Sequence, residues 1–140
     1  MASQLRDVDK QGNGMNLSKR EGSHFREVDG NLELIATVSS RAAHPRFPPA
    51  DYSLGGIQNE DVSLGSRGIL YTYTIVHPGK DRAPYGLAMV DFPGQVRVFG
   101  RLLIDPESTV VLEKAVKVVP WEFPDGTKDY AFALVEGETL

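Results

Sequence analysis

The stretch Gly68-Ile69-Leu70-Tyr71-Thr72-Tyr73-Thr74-Ile75-Val76-His77 (68–77) decides how the chain reads. It is rich in β-branched and aromatic residues, the types that suit a pleated, half-buried surface. Leu70, Thr72, Thr74 and Val76 alternate against Tyr71, Tyr73 and Ile75, which is the period of a strand. Working C-terminally, Pro78 to Pro84 form a loop and Tyr85–Phe92 a second strand. Pro93-Gly94 is a tight turn into Gln95–Ile104, where Arg97, Phe99 and Arg101 alternate with Val96, Val98, Gly100 and Leu102. Gly100 in mid-strand marks an expected bulge or barrel corner. Asp105–Thr109 is a turn, Val116–Phe123 a fourth strand edged by Pro120, and Pro124-Asp125-Gly126-Thr127 a hairpin turn into Asp129–Val135. Five short strands with hairpin turns fit a small closed barrel of OB-fold size. The pattern equally admits an SH3-like barrel or a small sandwich.

Working N-terminally, the chain is less regular. Residues 1–17 are polar and aperiodic and read as a flexible tail. Ser18 and Glu21 have capping-box spacing, and Phe25 and Val28 would share a helical face, so a short helix ending near Gly30 is expected. Leu32, Leu34 and Ala36 alternate like a brief strand. Pro45, Pro48 and Pro49 forbid a helix after it, Gly55-Gly56 make a turn, and residues 57–65 read as a polar connection. Three segments follow: a tail at 1–17, a helix plus ribbon-like segment at 18–66, and a barrel at 67–140.

Bulk properties narrow the function. The 140 residues suit one compact domain with an appended segment, and 41% hydrophobic content supports a core. A net charge of −4 argues against general nucleic-acid binding. There is no cysteine, so disulfides, thiolate metal sites and a cysteine nucleophile are excluded. The N-terminus has no apolar stretch of signal-peptide type and no run long enough to span a membrane, so a cytoplasmic location is expected. Asn16-Leu17-Ser18 matches the glycosylation triplet by chance in that setting. No zincin, phosphate-loop or nucleophile-elbow motif occurs, and His24, His44 and His77 are far apart in sequence.

Several of these pieces, in order and spacing, resemble the DUF35 OB-fold family. They are the Phe25-to-Leu34 entry, Phe47-Pro48-Pro49, the Gly68–His77 strand, Pro84-Tyr85 and Gly100-Arg101. The resemblance spans about residues 24–135. It implies a mainly β chain: a five-stranded OB-fold barrel preceded by a short helix and a rubredoxin-like zinc ribbon. It places the ribbon's ligand positions at about Ser39, Ala42, Ser53 and Gly56, none of which supplies a thiolate. His44 alone is no site. The ribbon is therefore expected to be degenerate and free of zinc, with Phe47, Tyr52 and the partner protein replacing the metal's contribution to folding.

The resemblance further implies a non-catalytic subunit that partners a thiolase-fold enzyme (thiolase, aldolase or synthase) or a MaoC-type hydratase in a hetero-oligomer. No tightly bound cofactor is expected, only contact with the coenzyme A moiety of the partner's acyl-CoA. Candidate contacts are Phe47, Tyr52, Tyr71, Tyr73, Arg97, Arg101 and Trp121. Tyr71 and Tyr73, on one strand face with Ile75, offer a stacking platform, the arginines a phosphate or carboxylate grip, and the tryptophan an interface anchor. The alternative is a stand-alone OB-fold binding single-stranded nucleic acid through Tyr71 and Tyr73. A third reading, a stand-alone enzyme with His77 as base, has the least support.

Overall fold

A computed structural model describes residues 17–20, 22–41, 43–55, 57–108 and 112–139. The tail expected over 1–17 lies, but for Leu17, outside them. The described residues form ten strands: β1 (Leu17–Lys19), β2 (Phe25–Val28), β3 (Asn31–Ser39), β4 (Tyr52–Leu54), β5 (Asn59–Gly65), β6 (Arg67–Val76), β7 (Tyr85–Phe92), β8 (Val96–Leu103), β9 (Lys114–Glu122) and β10 (Lys128–Thr139). Among the described residues no helix is long and apolar enough to cross a membrane.

The last five strands close a barrel in the order β10-β8-β7-β6-β9, sealed by the β9–β10 hairpin. All neighbours are antiparallel except β8 and β10. This is the five-stranded Greek-key barrel of the OB-fold. The SH3-like and sandwich readings fall away. The expected strand positions agree with those observed to within a few residues.

The barrel interior follows from alternation. Val96, Val98 and Leu102 of β8 point in and are buried, with Ala88, Val90 and Phe92 of β7, Val116 and Val118 of β9, and Phe132 of β10. Gly100 does not mark a bulge, because β7 and β8 pair without a break from Gly86↔Leu102 to Phe92↔Val96. The register shift lies instead on β6, between Leu70↔Val90 and Thr72↔Met89. Gly100 is small for another reason. A Cβ there would meet the rings of Phe132 and Tyr130 at 2.8 and 2.9 Å.

Among the described residues the expected N-terminal helix does not form: residues 25–28 form β2, which pairs with β3 from Val28↔Asn31 to Phe25↔Leu34. Asp29 and Gly30 both have positive φ, 52° and 82°, the pattern of a two-residue type I′ hairpin. The Asp-Gly signal outweighs the helical spacing of Phe25 and Val28, because the hairpin lets Phe25 pack against the core while Leu32 does so from β3. Residues 57–65 also differ from expectation. Most of them form β5, with Leu64 buried, Val62 half-buried and the polar side chains outward, so a half-buried strand had looked like a polar connection.

β2, β3 and β5 form a three-stranded sheet whose Leu34, Ala36 and Leu64 join the barrel core. The proline-rich loop is tied to this sheet by Thr37. Its backbone exchanges hydrogen bonds with Arg46 (3.0 and 2.7 Å), and its buried Oγ1 accepts the Ala50 N–H at 2.8 Å. The ends of the ribbon-like segment meet through Asn59, which pairs with Ser39 and donates from Nδ2 to the Tyr52 carbonyl at 3.3 Å. Ala42 and Gly56, two of the four inferred ligand positions, lie outside the described residues.

Candidate functional site

The seven candidate residues do not form one site. Phe47 is half-buried and packs edge-on against Tyr130 (5.7 Å between centroids) and His24 (6.0 Å). Phe25 meets Tyr130 at 6.4 Å, and Tyr130 meets Phe132 at 5.7 Å. These rings join the N-terminal sheet to the barrel core. Tyr130 completes the junction by donating its O–H to the Phe99 carbonyl at 2.8 Å. Burial, with the nearby Asp129 charge adding to it, pushes the Tyr130 phenol up to about 12. Tyr52 is exposed on the two-stranded β1–β4 sheet, away from the barrel strands in the topology.

Tyr71 and Tyr73 do not share a face. The register shift after Leu70 lets both Leu70 and Tyr73 face the core, while Tyr71 remains 49% exposed on the outside. A bulge of this kind re-aims side chains by breaking the two-residue period. The stacking pair expected from simple alternation is therefore split.

β8 keeps its period, and Arg97, Phe99 and Arg101 lie on its outer side. Arg97 makes a two-pronged ion pair with Asp91 on β7, its Nε 2.6 Å from one carboxylate oxygen and Nη2 3.2 Å from the other. Its guanidinium carbon also sits 3.4 Å from the centre of the Tyr71 ring. The hydrogen bond to Asp91 raises the Arg97 pKa above its ordinary value. Arg101 is held differently, over the Tyr85 ring at 4.3 Å and the Trp121 ring at 4.6 Å. Such cation–π contacts fix a guanidinium without neutralising it.

Sequence reasoning missed the apolar residues around these arginines. Phe99 is 54% exposed, and Ile69, Met89 and Leu103 are also exposed on the outer side of β6, β7 and β8. Met89 stands directly opposite Phe99, and Ile69 is registered with Asp91, so the patch is continuous across three strands. The signal was present in β7, where Tyr85, Leu87 and Met89 alternate with Gly86, Ala88 and Val90, so that neither face carries a polar side chain before Asp91. Patches of this type on a soluble chain mark interaction sites.

Trp121 links this face to a cleft of about 600 Å³ between the β2–β3 hairpin and the β9–β10 hairpin, lined also by Phe25, Leu32 and Pro120. Its ring meets Phe123 edge-on at 6.4 Å, and its indole N–H is buried with no acceptor among the described residues. Among the described residues no three His, Asp or Glu side chains gather as a metal cage. His24 precedes β2, His44 lies in the loop after β3, and His77 follows β6.

Comparison with known proteins gives the barrel its relatives. Residues 61–122 match the family model of the ChsH2 C-terminal OB-fold domain. Among solved structures, the chain is similar to one described as "Ltp2-ChsH2(DUF35) aldolase", with a TM-score of 0.56 and 18% identity over 73% of this chain and 84% of that one. No curated protein matches. The match over residues 61–122 and the strand topology agree on an OB-fold, similar to the one in the ChsH2 (DUF35) proteins.

Proposed function

We propose that this chain is a non-catalytic accessory subunit of a thiolase-type acyl-CoA enzyme complex in the cytoplasm. It stabilises the catalytic subunit and shapes its acyl-CoA site. The observation that carries this reading is the exposed apolar patch of Ile69, Tyr71, Met89, Phe99 and Leu103 on a barrel similar to the ChsH2 OB-fold. A soluble protein gains from covering such a face, and a folded partner covers it with little ordering cost. The similarity to a structure described as an aldolase containing a DUF35 protein supports an enzyme as that partner. The scattered histidines support a role in binding rather than turnover. The ribbon-like segment works without zinc, its loop held by Thr37 and by Phe47 packing on Tyr130.

The nucleic-acid alternative loses its main argument once Tyr71 and Tyr73 face opposite sides. The test is to tag the chain, purify it from its native host at moderate salt, identify what accompanies it, and measure zinc in the same sample. A thiolase-fold enzyme in fixed ratio, with no zinc, is the expected result. A chain that emerges alone, or with nucleic acid, refutes the reading.

A further inference from the structure

We infer that Arg101 is the charged anchor of the docking face and takes a carboxylate from the partner subunit. The inference rests on the accessory-subunit reading and names the chemistry its partner must bring.

Two arginines stand on the outer side of one strand, two residues to either side of Phe99. They differ in one respect. Arg97 already has its counter-charge, because Asp91 engages two of its nitrogens. Arg101 has no hydrogen bond or ion pair among the described residues and is held only by the rings of Tyr85 and Trp121. Ring faces attract the cation but leave the N–H donors in the guanidinium plane unused. The side chain is half-buried already, and Phe99 and Leu103 beside it are exposed.

A partner that covered this surface with apolar groups alone would bury an uncompensated charge, which is strongly unfavourable. A partner carboxylate reverses the sign, since the planar fork of arginine matches it with two hydrogen bonds. The rings have already restricted the guanidinium, so little order is lost on pairing. The apolar surround favours a protein surface over a free anion. The net charge of −4 and the compensated state of Arg97 disfavour a polyanion.

The test uses the full chain and the enzyme subunit that co-purifies with it, each purified, with affinity measured by titration. Arg101→Gln is expected to weaken binding by about 30-fold or more, as when one member of a buried charge pair is removed. Removing the self-compensated pair together, Arg97→Gln with Asp91→Asn, is expected to weaken binding clearly less than Arg101→Gln does, because it leaves no unpaired charge on the face. Far-UV circular dichroism and the melting temperature check that each variant is folded. If Arg101→Gln lowers the melting temperature appreciably, Arg101→Met keeps the stem's packing and takes its place.

Equal losses in the Arg101 variant and the Arg97/Asp91 variant, or no loss at Arg101, overturn the inference and leave the accessory-subunit reading intact. Failure of the wild-type chain to hold any enzyme subunit removes both. Arg101-dependent binding of a single-stranded oligonucleotide in place of an enzyme overturns the carboxylate in favour of phosphate.

Discussion

Replacing Gly100 by alanine separates two opposite physical expectations. Gly100 is not among the glycines with positive φ, so its backbone is open to any residue. On chain entropy alone, Gly100→Ala would stabilise by about 0.4–1 kcal/mol, because alanine restricts the unfolded chain. The structure opposes this. The new Cβ would lie 2.8 Å from Phe132 Cε2 and 2.9 Å from Tyr130 Cε2. Both distances are roughly 0.6 Å or more inside carbon–carbon contact. Phe132 is fully buried, and Tyr130 is pinned by its hydrogen bond to the Phe99 carbonyl. Neither ring can withdraw without disturbing Phe25 or Phe47, which pack on Tyr130. Overpacking of this kind costs about 1–3 kcal/mol and overrides the entropic gain. For a chain of this size, the melting temperature should fall by roughly 3–10 °C. Thermal and urea denaturation followed through Trp121 emission and far-UV circular dichroism measure it. A double-mutant cycle with Phe132→Leu adds a mechanistic check, since a smaller, ringless side chain should relieve part of the clash and make the two changes non-additive. A Gly100→Ala protein as stable as wild type or more so, or strict additivity in the cycle, would refute the packing argument.

Three further outcomes are expected. Tyr130→Phe removes the O–H donated to the Phe99 carbonyl and should cost about 0.5–1.5 kcal/mol at neutral pH. Because the folded-state value is raised to about 12, the stability tied to the neutral phenol is complete below the ordinary tyrosine value of about 10 and drains away between there and 12. Denaturation midpoints across that alkaline window should fall more steeply in wild type than in Tyr130→Phe, and parallel curves would contradict the assignment. Arg20→Lys keeps the charge but loses the fork that bonds Asp61 through Nε (2.9 Å) and Nη2 (3.1 Å) and reaches the carbonyls of Gly22 and Ser23. A loss of about 1 kcal/mol is expected by urea denaturation, and none at all would show that a point charge suffices there. Phe99→Ala should leave stability within about 0.5 kcal/mol, because the ring is 54% exposed, yet weaken capture of the enzyme partner; unchanged capture would remove Phe99 from the docking face.

Much of the barrel was legible in the sequence, because its strands are half-buried and carry the period of two in their side chains. Gly68–His77, Tyr85–Phe92 and Gln95–Ile104 declared themselves by alternation, and Pro93-Gly94 and Asp125-Gly126 by turn chemistry. In the Asp125 turn the carboxylate accepts the Thr127 N–H at 2.8 Å, which holds its pKa below the usual carboxylate value. The outward placement of Arg97, Phe99 and Arg101 followed from the same period. The N-terminal segment was misread where two local signals competed. Phe25 and Val28 have helical spacing, but Asp29-Gly30 closes a hairpin whose value lies in placing Phe25 and Leu32 against the core, a distant surface that no local window contains.

The sequence by itself determined the β class, the strand spacing and the lack of any thiolate for metal or nucleophilic chemistry, since these depend on residue type and local period. Tertiary structure alone decided closure of the barrel, with β8 and β10 running parallel. It alone decided the register shift that turns Tyr71 out and Tyr73 in. It also decided which arginine has a counter-charge, for Arg97 meets Asp91 across a strand pair whereas, among the described residues, Arg101 meets only rings. Each of these depends on which backbone lies beside which. Alternation fixes the face on which a side chain stands, and only the paired strands fix what stands opposite it.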